Sequence, residues 1–324
     1  MWVASPLSGD AGGMETNETT PAQGHTVERR MDGDPHPGQF YSHTLRTPTA
    51  RWWKPVVGII GGSVLLLLAS IVASLAAMAI DVAAFGRPFS VGVLTPTMYA
   101  ATMLSLILLI PITWVFVRFL HGQRWGFNGS IEGRLRTGWM VRALPVLLVV
   151  FAVYMIAFMQ LTPDMGERSP NWLSFAVIAL LLMPFQAAAE EVFFRGYVQR
   201  AAGSWLGGEK AALVVGTLIS ASLFAAFHFA QDPWLVFYYF SFGVTLSIAA
   251  RLTGGLEVPI LLHAVNNVVS GVLGAYMSDM NRAFDRSVGV GGPFMLVQVV
   301  FVALVVAVLV WWARRSGLRS QVPA

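Results

Sequence analysis

Eight apolar runs follow one another along the chain, at approximately 55–80, 95–117, 140–161, 172–193, 211–231, 234–250, 256–277 and 293–313. Each is near the ~20 residues that a helix needs to cross ~30 Å of hydrocarbon. The connections between the fifth, sixth and seventh runs are very short, which predicts antiparallel helical hairpins. Trp52-Trp53-Lys54 marks an interface, where indoles and a snorkelling lysine favour the headgroup layer. Residues 1–50 are polar, rich in Gly, Pro, Thr and His, and without helical periodicity, so they read as a disordered tail. No apolar run in the first 30 residues resembles a signal peptide. The pattern predicts an all-α polytopic membrane bundle of about eight transmembrane helices over 51–315, with a short basic tail at 316–324. Pro184, Gly196 and Gly207-Gly208 sit where a helix would kink or end.

Composition agrees with that architecture. The chain is 56% hydrophobic and 12% charged, with mean hydropathy +0.63, against ~25% charged residues in a soluble domain. Without cysteine there is no disulfide, no thiolate metal site and no cysteine nucleophile. A formal charge of +4 with no basic block interleaved with aromatics argues against nucleic acid as a partner. Lys54 and Lys210 are the only lysines among 21 basic residues, a bias that suggests a GC-rich genome and hence a bacterial inner membrane. Of those 21, only Arg87, Arg168, Arg282 and Arg286 fall on the side opposite the termini, so both termini are expected in the cytoplasm.

Three polar clusters interrupt the apolar runs. Glu190, Glu191 and Arg195 close the fourth, Phe224 and His228 lie in the fifth, and His263 and Asn267 lie in the seventh. One charged group in the hydrocarbon core costs about 2.5–3.5 kcal/mol on insertion scales, so three within six positions point to a buried site. Glu191 and Arg195 stand at i, i+4 with the acid first, the favourable order for an ion pair on one helix face. Glu190 is then turned about 100° away and free to point elsewhere. His263 and Asn267 share the i, i+4 spacing and project from one face, and Phe224 at that spacing walls the side of His228.

The motifs E-E-V-F-F-R-G (Glu190–Gly196), F-A-A-F-H (Phe224–His228) and H-A-V-N-N (His263–Asn267) resemble, in this order, the CPBP family. This is the group of type II CAAX prenyl endopeptidases and bacteriocin-processing or Abi proteins. Thr253-Gly254-Gly255 and Pro259 before His263 look like it too, and the resemblance covers about 170–275. It implies an intramembrane endopeptidase acting on a membrane-associated peptide or protein in the lipid bilayer. Carried onto this chain, Glu190 would be the general base for an attacking water that His228 helps to hold. His263 and Asn267 would stabilise the oxyanion, while Glu191 and Arg195 would be structural. Apolar surroundings move a carboxyl group toward the range where it can exchange a proton, and preorganised donors stabilise developing charge.

A second mechanism uses the same residues. Glu190, His228 and His263 form a His₂Glu set, a known catalytic zinc combination, with Glu191 as base. There is no H-E-x-x-H, and the ligands would come from three helices, so the metal-free version is favoured. Outside the enzyme class stand a non-catalytic immunity or scaffold protein and a proton-coupled transporter. The latter is disfavoured because the halves carry no matching broken helices.

Helix depth strains both mechanisms. Counted from the ends of the runs, Glu190 and His263 fall near the cytoplasmic side and His228 near the other, so a kink, a tilt or a shifted fifth run is needed. The other polar residues receive plainer expectations. Glu257 and Arg251 read as interface anchors, Tyr238 and Tyr239 as lipid-facing or core filler, and Asn266 as interhelical glue. His25, His36 and His43 read as solvated, with His121 at an interface.

Overall fold

The computed structural model describes residues 31–90, 92–161 and 167–324, and Met31–Ala324 forms one unit. Among the described residues eight helices are long and apolar enough to cross a membrane. They are α1 (Trp53–Phe85), α2 (Pro96–Leu120), α3 (Thr137–Met159), α4 (Trp172–Gly203), α5 (Glu209–Ala226), α6 (Pro233–Thr253), α7 (Glu257–Met277) and α8 (Met295–Arg315). The protein is an all-helical, multi-pass membrane protein.

Local chemistry sets several of these ends. Thr95 caps α2 by accepting the Met98 N–H, and Asp232 caps α6 by accepting those of Trp234 and Leu235. A proline follows each cap, where its missing N–H costs nothing. Gly86 and Gly254 close α1 and α6 in the left-handed conformation, at φ 61° and 70°.

The helix containing Glu190 runs ten residues beyond the end expected from hydropathy. It passes Pro184 without ending and absorbs one π-helical turn at Phe194–Val198 before stopping at Gly203. Its charged residues do not mark an exit from the bilayer, because Glu190, Glu191, Arg195 and Arg200 are all buried in protein. At ~1.5 Å per residue Glu190 therefore lies about 20 Å from the end of α4. The fifth helix, conversely, ends at Ala226, so His228 stands on the turn beyond it.

Helix α7 is the innermost. Its apolar window is 61% buried, against 22–39% for the other seven. It packs along α4 and α3, while α5 packs on α6 and α6 on α8. Close approach to α4 uses Gly271, where a Cβ would come within 2.8 Å of the Met183 sulfur. Exposed side chains such as Leu68, Val72 and Leu75 on α1 face outward, as lipid contact requires.

Residues 31–50 correct the expectation of a disordered tail. Tyr41, Ser42, His43, Thr44 and Leu45 are buried. Tyr41 Oη donates to the Asn128 carbonyl, and His43 Nε2 donates to the Leu206 carbonyl at 2.9 Å. The chain's other end pairs with this segment, Gly38 N–H donating to Val322 O at 3.0 Å and Val322 N–H to Gln39 O at 2.9 Å. Arg200 ties the assembly together by donating to Thr44 Oγ1 at 2.7 Å, to Asn128 Oδ1 at 3.1 Å and to Gln123 Oε1. His43 is thus not solvated. The part of the expected tail before residue 31, with His25, lies outside the described residues.

Glu257 also departs from expectation. It is fully buried and holds the Arg136 side chain through two hydrogen bonds, Nε to Oε1 at 2.8 Å and a terminal nitrogen to Oε2 at 2.7 Å, and the Arg136 N–H through a third to Oε1 at 2.9 Å. Such a fork joins the first turn of α7 to the start of α3. Arg251 stands over the Phe40 ring and 4.0 Å from Glu209.

Candidate active site

Helices α4 and α7 present their polar groups at matching intervals. Glu190 and, one turn earlier, Gln186 face His263 and Asn267. His263 Nε2 is 3.5 Å from Glu190 Oε2, and Asn267 Nδ2 donates to Gln186 Oε1 at 3.2 Å. Asn267 Oδ1 accepts from Asn266 Nδ2 at 3.0 Å, which fixes the amide's orientation. Gln186 escaped the sequence reading although it stands at i, i+4 from Glu190 like the other pairs.

His263 is held from its other side as well. Its Nδ1 donates to Glu191 Oε1 at 2.7 Å, and Arg195 NH1 donates to the same oxygen at 2.9 Å. Glu191 is therefore more than the partner of Arg195, because it also aims the histidine ring. Neither Glu191 nor Arg195 is exposed to solvent at all. The guanidinium carbon of Arg195 sits 4.2 Å from the centre of the Phe224 ring, which lies edge-on to His263 and beside His228.

His228 occupies the turn after α5. Its Nδ1 donates to the Phe224 carbonyl at 2.7 Å, leaving Nε2 with the lone pair in the neutral ring. The next residue, Phe229, has φ 50°, a left-handed conformation costly for a bulky side chain. Tyr239 of α6 stacks on the histidine ring at 3.8 Å, so it is neither lipid-facing nor plain filler.

Glu190, Phe224, His228, His263 and Asn267 line one cavity of about 610 Å³. The depth conflict foreseen from hydropathy disappears for two reasons. Helix α4 continues past its charges, which sinks Glu190, and α5 is short, which leaves His228 on a turn that lines the same space. Glu190 Oε2 is buried and hydrogen-bonds to no protein group, so it is available to a water or to a substrate proton.

The zinc alternative meets a geometric obstacle. Among the described residues no three of His, Cys, Asp or Glu stand where one ion could bind them, so Glu190, His228 and His263 are not assembled as a ligand set.

No solved structure matches the chain. A protein of Bacillus subtilis (strain 168), uncharacterized protein YyaK, is 28% identical over 238 residues, covering 65% of this chain and 74% of that protein. Residues 170–269, which carry all three polar clusters, match the family of type II CAAX prenyl endopeptidase Rce1-like proteins. That match supports placing the chain in the CPBP family of CAAX-type proteases.

Proposed function

We propose that the chain is an intramembrane endopeptidase that hydrolyses a peptide bond of a membrane-associated peptide or protein with a water activated by Glu190. The observation that carries this reading is the convergence of Glu190, His228, His263 and Asn267 on one cavity, with Glu190 Oε2 hydrogen-bonded to no protein group. In the proposed reaction Glu190 takes a proton from the water, His228 Nε2 holds that water, and its oxygen attacks the scissile carbonyl carbon. His263 and Asn267 donate to the oxyanion. The carbon–nitrogen bond then breaks, and Glu190 returns the proton to the leaving nitrogen.

Charge balance supports the assignment. Glu191 and Arg195 cancel, which leaves Glu190 and His263 as a facing acid and base 3.5 Å apart. Glu190 faces the space where the water would stand, and His263, anchored through Nδ1 on Glu191, turns Nε2 toward the same space. This is the arrangement the reaction requires. The proposed topology keeps both termini in the cytoplasm.

The test is cleavage of a quenched fluorescent peptide library by purified wild type and Glu190→Gln. Removing the base is expected to lower kcat by at least about 100-fold with the protein still folded and inserted. Equal cleavage by both proteins would overturn the reading, whereas a Glu190-dependent proton flux without cleavage would favour a transporter.

A further inference from the structure

Arg286 lies between α7 and α8, in a loop stitched to the turn that follows His228. The Gln231 N–H donates to the Arg286 carbonyl at 2.8 Å, and the Gly289 N–H donates to Asp232 Oδ2 at 2.9 Å. This brings Arg286 into the lining of the cavity that contains Glu190, His228 and His263. Its guanidinium carbon is 5.7 Å from the centre of the Tyr239 ring, the ring that stacks on His228.

The guanidinium is incompletely matched. One terminal nitrogen donates to the Asp285 carbonyl at 3.0 Å and, at 3.5 Å, to that of Ala283. Among the described residues no carboxylate forms an ion pair with it within 4.0 Å. The charge of the neighbouring Asp285 acts on the guanidinium only from beyond that distance, and its carboxylate accepts from the Ser287 N–H at 2.9 Å. A half-buried cation beside apolar walls gains most from an anion, and the planar fork of arginine suits a carboxylate through two parallel hydrogen bonds. No other lysine or arginine is among the described residues lining the cavity, so a single negative charge is balanced there and a doubly charged phosphate is not.

We propose that Arg286 binds a carboxylate of the substrate peptide and thereby sets which bond reaches Glu190. This rests on the endopeptidase reading and assigns that site its specificity. The carboxylate comes from the peptide's C-terminus or from an acidic side chain.

Binding is measured on Glu190→Gln in nanodiscs, so that the probes stay intact. Three octapeptides of Leu, Val and Phe carrying an uncharged 7-methoxycoumarin acyl label on the N-terminus are used, one with a free C-terminus, one amidated, and one amidated with a single internal Asp. One carboxylate peptide is expected to bind about tenfold tighter than the neutral amide. Preference for the free terminus identifies a terminal carboxylate, and preference for the Asp peptide identifies a side chain. Adding Arg286→Gln is expected to erase the difference, and Arg286→Lys, which keeps charge without the fork, to retain part of it. Equal binding of all three peptides, absence of binding included, overturns the proposal, as does a preference that survives Arg286→Gln. Cleavage by wild type but not by Glu190→Gln separately decides the underlying reading.

Discussion

At the residue scale, spacing made the principal candidates legible. Glu191/Arg195, Phe224/His228 and His263/Asn267 all stand at i, i+4, a pattern that a helix turns into one face. What spacing could not show is which face meets which. In the favoured metal-free version Glu191 was structural, the partner of Arg195, whereas its Oε1 also accepts from His263 Nδ1. Tyr239 and Arg286 left no local signal, since each reaches the cavity through the path of the backbone. Glu191 carries a prediction. Glu191→Gln leaves the Arg195 charge buried and uncompensated, which is expected to cost about 3–5 kcal/mol of stability. It also weakens the carboxylate contact that aims the His263 ring. Glu191 is therefore a positioning residue, and the variant should lower kcat far more than it raises KM for the same peptide. A stability loss with unchanged kcat in the folded fraction would leave it a purely structural role.

At the element scale, the number of spanning helices and most of their boundaries follow from hydropathy, because lipid demands long apolar helices. The exceptions fall where charge is buried in protein rather than exposed to water. Helix α4 continues past Arg195 and Arg200 to Gly203, and its burial there depends on neighbours that no local pattern reveals. The approach of α5 to this continuation is close enough to test. A Cβ on Gly216 would stand 2.4 Å from the backbone oxygen of Gln199, an atom that cannot swing aside. Gly216→Ala should therefore destabilise the protein by about 1–3 kcal/mol despite alanine's better helix propensity. Gly138 in α3 has nothing within 4 Å of the corresponding position, so Gly138→Ala should cost no stability. Thermal melting of both variants in nanodiscs makes the comparison, and equal melting would count against close α4–α5 packing.

At the scale of the whole molecule, residues 31–50 belong to the fold. This stretch was illegible because its buried residues are few, mostly polar, and follow no period. They dock on a polar platform made by Arg200, Asn128 and Gln123, with Tyr41 and Leu45 packed into apolar clusters beside it. His121 stands at this junction. It is buried, with Nε2 3.0 Å from the Tyr197 hydroxyl of α4, and its carbonyl accepts from Thr49 Oγ1 at 3.2 Å. Burial, reinforced by the positive charges of Lys54 and Arg200, pushes its imidazole down to about 3. The folded protein therefore keeps this ring neutral where the unfolded chain, with an ordinary value of 6.5, takes up a proton. Its contribution is complete above pH 6.5 and falls away as the pH drops from there toward 3. Between pH 7.5 and 5.5 the loss amounts to about 1 kcal/mol, above the range where most carboxylates titrate. Gln at this position can still hydrogen-bond Tyr197 but cannot be protonated. The His121→Gln variant should therefore lose about 1 kcal/mol less than wild type over that interval, as read from melting at the two pH values. Parallel losses would mean that His121 is protonated equally in both states and that the junction admits water.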